Sequence, residues 1–242
     1  MTPFVTLEVG LADRGPGDAV PLPEGQGHHL RDVLRMTPGD VLVVSDGHGW
    51  SASAELTEGG ARLTESPVVT PAPAPPIVVV HALPKGRKLD EVVRLLCELG
   101  VDRIVPVGSD HSVVSLRDDK ADKATRRWRA IAESAVNQSR RPWRCRLDPP
   151  RPLDEVVTEF ADAVGVVADV AADTPVRRAL TDVDGTAVVL AVGPEGGWSE
   201  AEIDRFRGAG WIPVTLGPTV LRTEHAAGVL TAIVAHILGR LG

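Results

Sequence analysis

Short runs of apolar and β-branched residues alternate with polar segments along the chain, and their spacing changes near residue 70. Upstream, the runs FVTLEV, DVLVVSD and WSASAEL (residues 4–9, 40–46 and 50–56) are strand-like, and Asp46 with Gly47 supplies a hairpin turn between two of them. These turns predict a small β-rich domain over residues 1–70. Its one helical segment is GHHLRDVLRM (residues 27–36), with Leu30, Val33 and Leu34 expected on the apolar side.

A proline-rich stretch separates this region from the rest of the chain. TPAPAPP (residues 70–76) has four prolines in seven residues, so residues 71–76 are predicted to be an extended linker. Over residues 77–242 the pattern becomes α/β. Compact β-branched runs alternate with segments of helical spacing, which predicts a mostly parallel sheet covered by helices. The strand-like runs are PIVVVHAL, RIVPVG, AVGVVADV, AVVLAVG and IPVTLG.

Two of the predicted helices carry apolar stripes of different width. In the helix around residues 126–138 the stripe is ordinary and leaves most arginines off the buried side; it comprises Trp128, Ile131, Ala132, Ala135 and Val136. The last helix has a stripe too broad for one core contact, formed by Ala226, Val229, Leu230, Ile233, Val234, Ile237 and Leu238. Such a face favours a second partner, and a homodimer interface is one way to cover it.

Two glycine-containing loops follow predicted strands near the end of the chain. AVGPEGGWSE (residues 191–200) leads from a strand into a helix that Ser199 and Glu202 are spaced to cap. This position is a common ligand site in α/β sheets, although the sequence is neither GxGxxG nor a P-loop. In the second loop, GPTVLRTEHAAG (residues 217–228), we expect Thr223 to cap the terminal helix.

If the two loops are neighbours, their main-chain groups line one cleft. Leu216, Val220 and Leu221 then provide an apolar floor, which suits a flat heteroaromatic ring such as adenine. Arg222 and Glu224 stand at the rim, either as a solvated ion pair or as groups at a reacting centre. The sequence leaves both interpretations open.

Charge is unevenly distributed in this acidic chain. The net charge is −7, which argues weakly against nucleic-acid partners, but residues 126–146 hold seven arginines against the single acid Glu133. Trp128 and Trp143 lie among these arginines, so the segment is either an RNA-binding surface or a solvated helix face with a core tryptophan.

The two cysteines show no disulfide or zinc spacing, so no metal site is predicted. The N-terminal sequence lacks signal-peptide features and no apolar run could span a bilayer; we expect a cytoplasmic protein.

The paired blocks VGPEGGWSEAEI and VTLGPTVLRTEHAA resemble the C-terminal signature of the RsmE family. These are 16S rRNA methyltransferases of the SPOUT class that modify N3 of one uridine with S-adenosylmethionine. Further blocks similar to the family are ALPKGRKLDEVVRLLCELGV, IVPVGSDHSVV, RWRAIAESAVNQSRR and, near the N-terminus, HHLRDVLRMTPGDVLVVSDGHG. The resemblance implies an N-terminal PUA-like β-barrel, a C-terminal SPOUT α/β domain with a trefoil knot, and a homodimer built on the terminal helix.

The resemblance also implies roles for particular residues. It assigns the cofactor to two walls, one comprising Gly193, Pro194, Glu195 and Gly196 and the other Leu216, Gly217 and Leu221. On this interpretation Arg222 stabilises the negative uracil, and Glu224 orients Arg222, accepts the N3 proton or only complements the helix N-terminus. Gln138 either reads the uracil edge or is a surface amide. The expected phosphate contacts are Arg31, Arg35, Lys85, Arg87, Arg126 and Arg141.

The chain departs from the family in two respects. Asn137 stands where the family usually has an acid, which puts a catalytic or orienting role for that position in doubt. Residues 1–75 hold ten acids against four lysines and arginines, an unfavourable balance for RNA docking. The alternatives are a non-catalytic RNA-binding or ribosome assembly factor, a SPOUT methyltransferase of another RNA, and a nucleotide-binding metabolic enzyme, for which phosphate-binding groups are not visible.

Overall fold

The chain divides into two compact units. A computed structural model describes residues 2–112, 119–181, 183 and 186–242. Residues 1–72 and 133–144 form the first unit, and residues 73–132 and 145–242 form the second. The division after residue 72 falls inside the proline-rich stretch. Segment 133–144, which the sequence pattern did not assign to the N-terminal domain, belongs to the first unit.

The first unit is built on a six-stranded sheet. Its strand order is β1-β3-β4-β5-β2, with β6 paired to β4, and every pair is antiparallel except β1 with β3. Alternate residues of these strands, such as Ala52, Ala54 and Leu56, enter one apolar core because successive side chains of a strand point to opposite faces. The strands are β1 (Phe4–Thr6), β2 (Ala19–Val20), β3 (Val41–Ser45), β4 (Trp50–Thr57), β5 (Gly60–Leu63) and β6 (Val68–Val69).

The predicted helical segment of this unit is shorter and less regular than its pattern indicates. Helix α1 (Gln26–His28) continues as a π-helical turn over His29–Val33, in which the N–H of Leu34 donates to the carbonyl of His29. Leu30 is buried, whereas Val33 and Leu34 are 60% and 47% exposed. The predicted apolar stripe is therefore wrong for these two residues. The i to i+5 bonding of the π-turn removes the three-and-four spacing on which the prediction depended.

The second unit is an α/β domain, as predicted. Its six strands are all parallel and run in the order β12-β10-β11-β7-β8-β9. The strands are β7 (Ile77–Ala82), β8 (Arg103–Val107), β9 (Arg146–Leu147), β10 (Val164–Ala168), β11 (Val188–Val192) and β12 (Ile212–Val214). The helices are α2 (Lys88–Glu98), α3 (Asp119–Gln138), α4 (Leu153–Glu159), α5 (Val176–Ala179), α6 (Glu200–Gly208) and α7 (Thr223–Ile237). Residues 133–138 of α3 are counted with the first unit.

The central strands explain why this sheet is covered on both faces. Every residue of β7 and β11 is buried, which matches their continuous β-branched sequences. Trp211 lies against Gly165 of β10, where a Cβ atom would be 2.2 Å from the indole, so only glycine fits this position. Helix α6 begins with the predicted capping box, in which Ser199 and Glu202 exchange hydrogen bonds.

The terminal helix keeps part of its apolar stripe uncovered. Leu230 and Val234 are buried, while Val229 and Ile237 remain 37% and 36% exposed. Helix α7 packs mainly on α2. Across the described residues, no helix is both long and apolar enough to cross a membrane.

Candidate functional site

A cleft lies where three neighbouring parallel strands end. The loops that follow β10, β11 and β12 line it, with one contribution from α2, and its volume is about 540 Å³. Ligands of open α/β sheets bind at this edge, because the loops after the carboxyl ends of parallel strands converge there. The cleft lies wholly within the second unit.

The glycine loop, residues 193–197, forms the first wall. The N–H of Gly197 donates to the carbonyl of Pro194 at 2.9 Å, and Gly197 has a φ of 69°, which favours glycine. A Cβ atom on Gly193 would lie 3.1 Å from the main-chain carbon of Gly197 and 3.2 Å from the nitrogen of Trp198. The tight turn therefore favours glycine at both positions, and residues with no side chain make up much of this wall.

The second wall is the loop after β12. Leu216, Gly217 and Leu221 line the cleft, as predicted for neighbouring loops, and Gly217 adopts a φ of 121°. Thr215 shapes the turn, since its hydroxyl donates to the carbonyl of Gly217 at 3.3 Å. Val220 also lines the cleft and is 81% exposed, so an apolar side chain projects at its mouth.

Thr223 joins the two walls instead of capping the terminal helix. Arg222, not Thr223, occupies the N-cap position of α7, and no side-chain capping bond forms there. The predicted cap is therefore wrong. The hydroxyl of Thr223 is buried and donates to the carbonyl of Gly193 at 2.5 Å. The bond fixes the start of the glycine loop to the first turn of α7.

A buried histidine lies beneath this bond. Nδ1 of His81 is 2.7 Å from the carbonyl of Ala82, and because a carbonyl only accepts, Nδ1 carries the proton. Nε2 then faces the hydroxyl of Thr223 at 3.4 Å. Burial lowers the pKa of His81, although the backbone hydrogen bonds of Ala82 and Thr223 and the nearby carboxylates of Glu195 and Glu224 oppose this effect. The imidazole is accordingly neutral at pH 7.

Charged side chains gather at the cleft. Arg222 precedes α7, Glu195 is in the glycine loop, and Lys88 is the first residue of α2. Glu224, in the first turn of α7, is not part of the lining but lies beside Lys88. Nζ of Lys88 lies 2.8 Å from Oε1 of Glu195 and 3.7 Å from Oε2 of Glu224. The Glu224 side chain is 12% exposed, and its Oε2 has no hydrogen-bond partner among the described residues.

The Lys88–Glu195 pair has shifted titration behaviour. The hydrogen bond to Glu195 raises the pKa of Lys88, more than burial and the charge of Arg222 lower it. Burial alone raises the pKa of Glu195, but hydrogen bonds from the Lys88 ammonium and the Lys85 backbone N–H outweigh it, so this pKa is lowered. Both groups are therefore charged around pH 7.

Other groups at the cleft were not found from the sequence. Asp169 and Val170 follow β10 and supply a third part of the lining. Lys88 was also missed, although Lys85 and Arg87 beside it were predicted. Nδ1 of His111 lies 3.1 Å and 3.2 Å from the carbonyls of Gly196 and Gly197, and so supports the glycine loop from the adjacent segment. Strand order, which places β10 between β11 and β12, is the signal that could have located the third loop.

The cationic residues predicted to contact RNA in the second unit are exposed, and one of them also bonds to a neighbouring carboxylate. Lys85, Arg87 and Arg126 are all exposed. Arg87 donates to Asp90 at 3.1 Å, and the side chain of Asp90 also accepts from Arg127 and from the indole of Trp128. Trp128 is only 3% exposed, so it is a core residue and not a stacking platform.

Some of the residues predicted to contact RNA in the first unit bond to other groups of that unit. Arg31 donates to the carbonyls of Thr57 and Glu58, both at 2.8 Å. Arg35 is exposed and has a φ of 56°, a conformation uncommon outside glycine. Arg141 is half-buried, and Gln138 is exposed at the end of α3, outside the cleft lining.

Asn137 has a structural role. Its Oδ1 accepts hydrogen bonds from both the N–H and the hydroxyl of Thr6, at 2.9 Å and 2.7 Å. Nearby, the indole of Trp143 donates to the carbonyl of Thr70 and covers Gly49. Arg140 and Arg144 donate to the carbonyls of Thr2 and Leu7. Much of the arginine-rich segment thus bonds within its own unit.

The described part of the chain contains no group of three or more His, Cys, Asp or Glu side chains placed to hold a metal ion.

Comparison with known proteins gives the class. A family model described as an RNA methyltransferase domain matches residues 70–235, and one described as an RNA methyltransferase PUA domain matches residues 22–63. These matches, with the parallel sheet and its cleft, place the chain in the class of RNA methyltransferases.

Individual relatives define the family. The ribosomal RNA small subunit methyltransferase E of Mycobacterium bovis is 35% identical, covering 95% of this chain and 90% of the relative. That of Bacillus subtilis is 30% identical, covering 82% of each. The crystal structure of the protein of this name from Neisseria gonorrhoeae, bound to S-adenosyl methionine, is 28% identical, with a TM-score of 0.85 and 98% of both chains covered. The chain belongs to the family of ribosomal RNA small subunit methyltransferase E, which confirms the resemblance found in the sequence.

Proposed function

We propose that this protein transfers a methyl group from S-adenosylmethionine to N3 of a specific uridine in the decoding region of 16S rRNA. The observation that carries this proposal is the cleft itself, in which a glycine loop and an apolar loop lie beside the charged residues Lys88, Glu195 and Arg222. Because the substrate is ribosomal RNA, we place the protein in the cytoplasm.

The residues present suit this cofactor. A cleft of about 540 Å³ has the size of an ordinary small-molecule site. The glycine loop offers main-chain groups for the polar edge of the adenine ring, and Leu216, Val220 and Leu221 offer an apolar wall. Glu195 contributes through its main chain, since its carboxylate is bonded to Lys88. We therefore assign Gly193, Pro194, Glu195, Gly196, Leu216, Gly217 and Leu221 to the cofactor.

The chemistry then falls to Arg222 and Glu224. When bound, S-adenosylmethionine supplies an electrophilic methyl group. Uracil N3 carries a proton that must leave as the new bond forms, so a base or a nearby cation is required. The Arg222 guanidinium at the cleft stabilises the negative uracil. Oε2 of Glu224, which has no hydrogen-bond partner among the described residues and lies 3.7 Å from Nζ of Lys88, accepts the proton or orients Arg222.

The proposal also includes the binding of RNA and the pairing of two copies of the chain. Exposed Lys85, Arg87, Arg126 and Arg35 contact phosphates together with Arg31 and Arg141, and Gln138 reads the uracil edge. The target uridine is turned out of any helix, because N3 is engaged in a base pair. A second copy covers the exposed side of α7, giving a homodimer, and the SPOUT domain contains a trefoil knot.

The test is methyl transfer from labelled S-adenosylmethionine to small ribosomal subunits that lack the modification, followed by nucleoside mass spectrometry. We expect 3-methyluridine at one position. Arg222→Ala should lower the rate by a factor of about 100 while leaving cofactor affinity nearly unchanged, because the guanidinium acts on charge that develops during transfer.

The exposed Arg207 of α6, changed to alanine, is the matched control and should retain the wild-type rate. Cofactor binding without transfer to subunits or free rRNA would overturn the proposal in favour of an assembly factor. Methylation of another RNA, or at another atom, would retain the enzyme class and reject the target.

A further inference from the structure

Lys88 occupies an unusual position among the charged groups of the cleft. It is the first residue of α2, yet its ammonium reaches the glycine loop through Glu195 and the first turn of α7 through Glu224. It is the side chain that bonds Glu195, because Lys85 contributes only its backbone N–H, at 3.2 Å and 3.3 Å from the two carboxylate oxygens. Three elements are therefore connected through one ammonium group.

The glycine loop needs such a connection because its own residues restrain it weakly. Glycine loses more conformational entropy on ordering than other residues, so a loop with glycine at 193, 196 and 197 is costly to hold in one conformation. Thr223 fixes the beginning of the loop at Gly193, and His111 contacts its end at Gly196 and Gly197. Glu195 lies between these points and is fixed by Lys88.

We propose that Lys88 is a positioning residue for cofactor binding, acting through Glu195 to hold the main chain of the glycine loop in its binding conformation. This inference rests on the proposed function of the cleft. On this proposal the charges of Lys88 and Glu195 pair with each other and not with the ligand. It also explains why a loop that offers bare main chain to a ligand carries a carboxylate at its centre.

A direct electrostatic role of Lys88 predicts a different result. A lysine close to the bound ligand would repel the sulfonium charge of S-adenosylmethionine but not the neutral thioether of S-adenosylhomocysteine. Removing the lysine would then change the two affinities unequally. Removing a residue that positions the loop changes them equally, because both ligands use the same adenosine-binding main chain.

The experiment measures the binding of both ligands by calorimetry for the wild type, Lys88→Met, Glu195→Gln and the double variant. We expect Lys88→Met to weaken the binding of both ligands about fivefold, the modest effect of an ion pair whose two side chains are about one third exposed. In the Glu195→Gln background, Lys88→Met should have little further effect, since the two residues act as one unit. Lys88→Arg should recover most of the affinity. Lys123→Met, at an exposed site on α3, is the control for removing one positive charge.

A second measurement does not involve the ligand. Side-chain carbon NMR of Glu195 in the cofactor-free protein should give a pKa below the ordinary value in the wild type, and a higher pKa in Lys88→Met but not in Lys123→Met. Additive losses in the double variant, or unequal shifts for the two ligands, would reject the inference. Failure of the wild type to bind either ligand would instead reject the proposed function, so the two failures are distinguishable.

Discussion

The sequences of the glycine loop and of the arginine-rich segment both predict function, but the structure places the two regions in different settings. Residues 193–197 carry one charged side chain and three glycines, and they line a cleft. Residues 126–146 carry seven arginines, and at least five of them bond to groups of the protein itself: Arg127, Arg129, Arg140, Arg144 and Arg146. A dense charge run is therefore weaker evidence for a ligand surface than glycines placed between a strand and a helix.

The physical reason lies in what each residue type can do without a ligand. An arginine has five donors and a long side chain, so it finds carbonyl and carboxylate acceptors within its own unit. A glycine in a turn has only its main chain to offer. In this loop the carbonyls of Gly193 and Pro194 already accept hydrogen bonds within the protein, so a ligand would use the main-chain groups that remain.

The largest expected effect comes from adding one methyl group to the glycine loop, which tests whether the loop differs from the arginine-rich segment as described. In Gly193→Ala the new Cβ would lie 3.1 Å and 3.2 Å from main-chain atoms of Gly197 and Trp198, which cannot rotate away. The loop must shift, and we expect affinity for S-adenosylmethionine to fall about tenfold, measured by calorimetry. Gly208→Ala is the control, because its Cβ meets open space at the end of α6. Unchanged affinity in Gly193→Ala would contradict the main-chain interpretation.

The fold of the second unit was predictable because its pattern is simple. Continuous β-branched runs such as those of β7 and β11 have few alternatives to buried parallel strands, and the Ser199–Glu202 spacing located the start of α6. The two glycine loops of the site followed from the same pattern. Lys88 and Val170 did not, since their place at the cleft depends on strand order and on the packing of α2, which local spacing does not encode.

The failures of prediction concern a side chain with a distant partner and a helix of unexpected type. Thr223 has the sequence position of a helix cap, but the carbonyl of Gly193, thirty residues away, is its acceptor. Val33 and Leu34 match an α-helical stripe, but the π-turn exposes them. For Thr223 a distant acceptor overrides the local preference, and for Val33 and Leu34 the change from α-helical to π-helical backbone bonding does so.

Within the arginine-rich segment, an exposed arginine and an internally bonded arginine should respond differently to substitution by alanine. Arg126 is exposed, so Arg126→Ala should weaken RNA binding about threefold and reduce the slope of log affinity against log salt by about one, with an unchanged melting temperature. Arg144 donates to the carbonyl of Leu7 and packs on Gly47. Arg144→Ala should lower the melting temperature by about 3 °C and leave the salt slope unchanged.

Salt titrations of RNA binding and thermal unfolding of both variants measure these effects, and each variant is the control for the other. Equal loss of salt slope in both variants would show that the arginines bind RNA despite their internal bonds. The segment would then be a functional surface like the glycine loop, and the contrast between the two regions would disappear.

The smallest effect concerns the one carboxylate in the glycine loop. The folded state lowers the pKa of Glu195 below its ordinary value of 4.5, mainly because Lys88 outweighs the cost of burial, so ionised Glu195 stabilises the folded state. That contribution is complete above the unfolded-state pKa and is lost as the pH falls through the lower folded-state pKa. Lys88, whose pKa is raised, stays protonated over this range.

Glu195→Gln should therefore melt about 1 °C below the wild type at pH 7, and the difference should shrink as the pH falls below the ordinary pKa of 4.5 and vanish below the lowered folded-state pKa. Thermal unfolding across that range measures it. Glu98→Gln, on the exposed side of α2, should show no such pH-dependent difference. A difference in melting temperature that persists below the folded-state pKa of Glu195, as measured by side-chain NMR, would mean that this side chain stabilises the loop by packing and not by its charge. The glycine loop would then depend on side-chain contacts in the same way as the arginine-rich segment.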